Sequence, residues 1–121
     1  MDRILVIDDE PGVSELICEV LGRIGYTVET ACNGKEGLRW LKSGSFDLVV
    51  TDMCMPDVQG DSIVRHIRNS DRGITPVIGI SGTPWLLEGV DFDAVLPKPF
   101  SLKSLVDTIQ QVKVRKASTV H

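Results

Sequence analysis

Three acidic residues stand at the ends of two short apolar runs. Asp8 and Asp9 follow Ile4-Leu5-Val6-Ile7, and Asp52 follows Leu48-Val49-Val50-Thr51. Apolar runs of this length read as fully buried strands. Acids at their ends are expected where the sheet opens onto solvent. Carboxylates that meet at one opening repel each other, and a cation between them relieves the repulsion. Oxygen ligands without His or Cys partners suit Mg²⁺. Two more polar residues end strand-like runs: Ser81 after Val77-Ile78-Gly79-Ile80, and Lys98 soon after Ala94-Val95-Leu96. Acids with a metal, one ammonium and one hydroxyl form a set suited to phosphoryl transfer. The metal and the lysine balance charge on the transferring group. The hydroxyl of Ser81 can donate a hydrogen bond to it. No Walker loop and no glycine-rich nucleotide fingerprint follows the first strand, so a bound nucleotide is not the expected donor. A carboxylate can itself be the nucleophile and form an aspartyl phosphate. Asp52 is the candidate.

Five strand and helix alternations must position these groups. The first strand is expected over Arg3 to Asp8. A helix follows, with Pro11 in its first turn, where a missing N–H does no harm. Val13, Leu16, Ile17, Val20, Leu21 and Ile24 trace one helical face, and Gly25 stops it. The second strand is Thr27 to Ala31. Asn33 resembles an N-cap, with Glu36 three residues on, for a second helix that carries Leu38 and Leu41 and ends near Gly44. The third strand, Phe46 to Thr51, delivers Asp52. A third helix over Gly60 to Asn69 turns Ile63, Val64 and Ile67 inward. Strands at Val77 to Ile80 and Ala94 to Leu96 follow. The last helix starts at Ser101 and buries Leu102, Leu105, Val106, Ile109 and Val112. From Arg115 the chain is polar and is expected to fray, giving a domain over 1–116 and a polar tail over 117–121.

Such alternation implies an α/β fold with a doubly wound parallel sheet and right-handed crossovers. In the flavodoxin-like order 2-1-3-4-5, ligands bind outside the carboxyl ends of strands 1 and 3, where the order reverses. Asp8, Asp9 and Asp52 lie at those ends, and Ser81 and Lys98 lie at the same ends of strands 4 and 5.

The 121 residues suit one domain with one core, and 42% apolar content is ordinary. A net charge of −4 gives no electrostatic footprint for nucleic acid. Neither a transmembrane run nor a signal peptide is recognisable, so a cytoplasmic protein without membrane contact is expected. The odd number of cysteines, Cys18, Cys32 and Cys54, favours reduced thiols, each read as a small buried or half-buried apolar residue.

The chain resembles the receiver domain of two-component response regulators, the CheY-like superfamily. The residues that carry the resemblance are Ile7-Asp8-Asp9-Glu10, then Asp52-Met53-Cys54-Met55-Pro56-Asp57 with Gly60, Ser81, and Lys98-Pro99-Phe100. The resemblance covers nearly the whole chain in order. It implies that Asp52 accepts a phosphoryl group from the phosphohistidine of a sensor histidine kinase or phosphotransfer protein. It also implies Mg²⁺ on Asp9, Asp52 and the backbone carbonyl of Cys54, with Asp8 acting directly or through water. Lys98 would pair with the phosphoryl group, Ser81 would hydrogen-bond it, and the Lys98-Pro99 bond would be cis. An unidentified output partner would be switched, and the only catalysis would be of the domain's own phosphorylation and dephosphorylation.

Three departures from the family pattern stand out. Val95 replaces the aromatic residue usual three positions before the lysine, so its side chain cannot report phosphorylation to Ser81. The Ser81 to Lys98 interval is short, which leaves a shortened helix 4 as a stub within Pro84 to Gly89. Pro97 precedes the lysine and removes an N–H from that edge.

Blander readings exist for each residue. Asp8-Asp9-Glu10 could be an acidic helix start favoured by the helix dipole. Lys98 could be a solvated surface residue and Ser81 a turn residue before Gly82. His66, beside Arg65 and Arg68, reads as a solvated helix-face residue, and Trp85-Leu86-Leu87 as core filler closing the shortened helix or else an exposed partner patch, with filler favoured. Convergence on one crevice is what favours the functional reading. A phosphatase with an aspartyl nucleophile commonly carries a second Asp two residues on, where this chain has Cys54. A flavodoxin-like flavin protein would need a phosphate loop where the acids stand. A pseudo-receiver, a pure interaction module, is the remaining alternative.

Overall fold

The structure is a computed structural model and describes residues 2–54, 60–70, 73–83 and 90–119. Its elements are β1 (Arg3–Ile7), α1 (Pro11–Ile24), β2 (Thr27–Ala31), α2 (Gly34–Ser43), β3 (Leu48–Asp52), α3 (Gly60–Arg68), β4 (Val77–Ser81), β5 (Ala94–Pro97) and α4 (Leu102–Thr119). The five strands are parallel in the order β2-β1-β3-β4-β5, as the alternation predicts. The stub expected within Pro84 to Gly89, and Trp85-Leu86-Leu87 with it, lies outside the described residues.

Strand periodicity divides the core in two. On one face Ile4, Val6, Leu48, Val50, Ile78, Ile80 and Leu96 pack with Ile17 and Leu21 of α1 and Leu105, Ile109 and Val112 of α4. On the other face Leu5, Ile7, Val49 and Val77 pack with Ile63, Val64 and Ile67 of α3, with Leu38 and Leu41 of α2 against them. β1, β3 and β4 are covered on both sides, which is why they read as continuous apolar runs. Gly37 lets α2 approach β1: a Cβ there would fall 2.6 Å from Cδ1 of Ile7.

The helix ends follow local chemistry. Pro11 opens α1, and Gly25 closes it in the left-handed region at φ 117°. The Asn33 side chain accepts from the Glu36 N–H at 2.8 Å, the expected cap of α2.

Several expectations need correction. Leu16 and Ile24 are about half exposed. The buried stripe of α1 is Ser14, Ile17 and Leu21, with Val13 against it. Leu16 lies about 100° around the helix from Ile17, and Ile24 is the last helical residue before the turn at Gly25. Ser14 takes a buried place because its hydroxyl donates to the Pro11 carbonyl at 3.1 Å. Cys32 and Cys54 are exposed, and only Cys18 is half-buried. His66 is half-buried. α4 does not fray from Arg115 but runs on to Thr119. Lys113 anchors it by pairing with Asp2 and donating to the Tyr26 hydroxyl, and the stretch Arg115-Lys116-Ala117 that follows favours helix. Strand limits move by one or two residues: β1 stops at Ile7, β3 starts at Leu48 and includes Asp52, and β5 reaches Pro97.

Candidate functional site

Parallel register brings the strand ends together. Ile7 pairs with Thr51, Asp52 with Ile80, and Ser81 with Pro97. The residues that leave the sheet at its carboxyl edge are therefore Asp8, Asp52, Ser81 and Lys98. At this edge Asp8 and Asp52 are themselves 1% and 2% exposed, deeper than strand ends open to solvent would place them, whereas Glu10 beside them is exposed. The charges of Asp8 and Asp52 are held in a largely dry setting, which strengthens every interaction among them.

Asp52 has both carboxylate oxygens engaged. Oδ1 accepts the Cys54 N–H at 3.1 Å, and Oδ2 accepts from Lys98 Nζ at 3.2 Å. Lys98 reaches the site from beyond β5, after its N–H donates to the Ser81 carbonyl at 2.8 Å. The Lys98-Pro99 bond is cis. Burial pushes the Lys98 ammonium down, but the hydrogen bond and charge of Asp52, with Asp8 and Glu10, outweigh it and hold the group above its ordinary value.

Asp8 is anchored on one side only. Oδ1 accepts the Glu10 N–H at 2.9 Å, whereas Oδ2 is buried without a hydrogen-bond partner. Burial raises its carboxyl above the ordinary range. The Glu10 N–H opposes this, the charge of Asp52 adds to it, and Lys98 opposes it again. A buried carboxylate oxygen without a partner invites a ligand. Oxygens of Asp8, Asp9 and Glu10 come within 4.8 Å of one another, the one such acidic group among the described residues. This all-oxygen donor set fits a hard divalent cation.

Ser81 is buried at the end of β4, and its Oγ accepts the Thr83 N–H at 3.0 Å. That bond leaves the hydroxyl proton free to turn toward either Thr83 Oγ1, 3.4 Å away, or the crevice. Of the expected residues, Met55, Pro56 and Asp57 lie outside the described residues.

Sequence reasoning missed two participants. Glu10 stood in the Ile7-Asp8-Asp9-Glu10 motif and in an acidic helix start without a role of its own, yet its Oε1 lies 3.9 Å from Lys98 Nζ. Thr83 carries no signal of its own. An ST-turn after a strand-end serine is the pattern that finds it.

The chain belongs to the response regulator receiver domain family, which it matches over residues 4–110. Among curated relatives, the transcriptional regulatory protein CusR of Escherichia coli strain K12 is 28% identical over 98% of this chain and 54% of its own length. The transcriptional regulatory protein DltR of Streptococcus agalactiae is 32% identical, again over 98% of this chain and 54% of its own. The chain thus spans about half the length of these relatives. Among solved structures, the chemotaxis response regulator CheY4 of Vibrio cholerae is 30% identical, with a TM-score of 0.86 over 93% of this chain and 98% of that one. The response regulator TrrA of Thermotoga maritima, solved in complex with Mg²⁺ and BeF, is 32% identical, with a TM-score of 0.83 over 93% of this chain and 99% of that one. Family and fold agree with the resemblance carried by the motifs: the domain is a receiver of the phosphorylation-signalling class. No helix among the described residues is long and apolar enough to cross a membrane.

Proposed function

We propose that Asp52 accepts a phosphoryl group from the phosphohistidine of a sensor histidine kinase or phosphotransfer protein, and that the aspartyl phosphate switches a partner or output domain. The observation that carries this reading is the engagement of Asp52: one oxygen on the Cys54 N–H, the other on Lys98. A buried carboxylate so held is a fixed nucleophile. A carboxylate oxygen forms the new P–O bond as the P–N bond of phosphohistidine breaks, and the released imidazole nitrogen takes up a proton. Lys98 follows the charge from the carboxylate to the phosphoryl oxygens, and the Ser81 hydroxyl donates to one of them. Asp8, Asp9, Asp52 and the backbone carbonyl of Cys54 would hold Mg²⁺, which when bound would neutralise charge on the oxygens of the transferring group. The orphaned Oδ2 of Asp8 supports that assignment.

The domain works in the cytoplasm and catalyses only its own phosphorylation and dephosphorylation. Cys54 at the second position after Asp52 disfavours a phosphatase that needs an acid there. An acidic domain of this kind does not contact nucleic acid itself. CusR and DltR regulate transcription by name, so nucleic acid belongs to the output that such a receiver controls.

Acetyl phosphate with Mg²⁺, read by intact mass, tests the reading. The chain should gain one phosphoryl group, and Asp52→Asn should gain none. Undiminished labelling of that variant removes Asp52 from the role. An unlabelled parent favours the pseudo-receiver.

A further inference from the structure

Glu10 occupies a place that helix capping does not explain. It is the N-cap of α1, with extended backbone at φ −99° and ψ 102°, and its side chain makes no cap hydrogen bond. Ser, Thr, Asp and Asn are the residues that satisfy a helix start from this position. The Glu10 backbone serves the site instead, through its N–H to Asp8 Oδ1 at 2.9 Å. Its carboxylate serves the site too. Oε1 is 3.9 Å from Lys98 Nζ, while Asp52 Oδ2 is 3.2 Å from the same nitrogen. The Lys98 ammonium therefore stands between two carboxylates on different elements, nearer to Asp52.

That position creates a competition. A divalent cation that shares Asp52 must work against the Lys98 charge already paired with Oδ2, since like charges at such a distance repel. Lys98 gives up Asp52 more readily if a second anion receives it. Asp8 and Asp9 are poor receivers, because the cation claims them. Glu10 is more exposed, already at ion-pair distance, and attached to the chain at the mouth of the site. Building on the phosphoacceptor reading above, we propose that Glu10 is a positioning residue: its carboxylate is a second seat that draws Lys98 off Asp52 and so opens Asp52 to the cation.

The experiment is a double-mutant cycle on Mg²⁺ binding, read without phosphorylation from the amide shift of Cys54, whose N–H is bonded to Asp52 Oδ1. MgCl₂ is titrated into the parent, Glu10→Gln, Lys98→Gln and the double variant. Both partners are partly exposed, so the expected weakening by Glu10→Gln in the parent background is about two- to fivefold. In the Lys98→Gln background, with no ammonium to seat, Glu10→Gln should change the affinity much less. Glu10→Asp, which keeps the charge on a shorter stem, should recover part of the loss. An equal loss in both backgrounds overturns the proposal and makes Glu10 a ligand or a plain source of field. No effect of Glu10→Gln in either background overturns it as well. The phosphoacceptor reading fails separately, through the mass-labelling result for Asp52→Asn.

Discussion

Gly60, the first residue of α3, is packed onto the end of β3 where Asp52 leaves the sheet. A Cβ at this position would fall 2.8 Å from the Asp52 carbonyl oxygen and from Cα of Met53, and 2.5 Å from Met53 Sδ. The Gly60 N–H donates to the Met53 carbonyl at 3.3 Å. Two of the three crowded atoms are backbone, so no rotamer change relieves the contact. Gly60→Ala should cost about 3 kcal/mol, the upper part of the overpacking range. It should also slow labelling of Asp52 by acetyl phosphate, because relief requires the nucleophile's own peptide to shift. Urea denaturation and intact mass check the two effects. A variant as stable and as readily labelled as the parent would show that the approach of α3 to β3 is not tight.

Arg68 ties three segments together from the end of α3. Its guanidinium donates to the carbonyls of Gly73 at 2.8 Å, Thr75 at 2.6 Å and Asp91 at 3.0 Å, and to Asp93 Oδ2 at 2.9 Å. Asp93 Oδ2 also accepts the Val77 N–H at the start of β4. The fork therefore closes loops on both sides of β4. Arg68→Ala should destabilise the domain by about 1–3 kcal/mol, since part-buried carbonyls and a half-buried carboxylate lose their donor together. Arg68→Lys should recover less than half of that, because an ammonium cannot present a planar fork. Equal stability of the two variants would reduce Arg68 to a simple charge.

The strand order and the carboxyl-edge cluster were readable because both depend on patterns that the sequence displays directly. Fully buried parallel strands leave unbroken apolar runs, and polar groups at their ends stand out against them. Asn33, Pro11 and Gly25 announce the helix ends for the same local reasons. What was not readable depends on contacts made only after folding. Arg68 looks like any helix-face arginine until the loops of Gly73 and Asp91 come round it. Leu16 and Leu21 both read as part of one apolar face until packing centres the buried stripe on Ile17 and Leu21 and leaves Leu16 to one side of it. The burial of Asp8 and Asp52 is a third case, since the pattern marks the strand end but not the depth of the crevice around it. Glu10 was masked by a sufficient local explanation, the preference of helix starts for acids.

Asp8 makes the stability of the metal-free domain depend on pH in a stated direction. Its folded carboxyl titrates above the ordinary value of 3.8, so the folded state binds the proton more tightly than the unfolded chain does. The stability this contributes is fully present below the unfolded pKa and is lost as pH rises through the folded one. Asp8→Asn removes that loss while keeping an acceptor for the Glu10 N–H. In the absence of divalent cations the variant should therefore be more stable than the parent at neutral pH, on the order of 1 kcal/mol, and the advantage should vanish by about pH 3. Thermal melts across that range decide it. A constant advantage at all pH values would point to packing and not to charge.

Mg²⁺ should reverse this penalty in the parent. A cation that binds only the folded state stabilises it by about 1.4 kcal/mol at ten times its Kd, or roughly 5–6 °C in Tm for a domain of this size. The gain comes from the same oxygens that repel each other without it: the unpartnered Oδ2 of Asp8 and the neighbouring carboxylate of Asp9. Asp9→Ala should behave in two ways at once. Without metal it should be as stable as the parent or more so, since one of the crowded charges is gone. With Mg²⁺ it should show little further rise, since a direct ligand is missing, while its circular dichroism stays that of the parent. Asp8→Asn should keep a reduced response, because the Asn carbonyl oxygen is a weaker ligand than a carboxylate and Asp9 remains. If Asp9→Ala is stabilised by Mg²⁺ as strongly as the parent, the cation sits elsewhere, and the acids at the ends of β1 and β3 need another explanation.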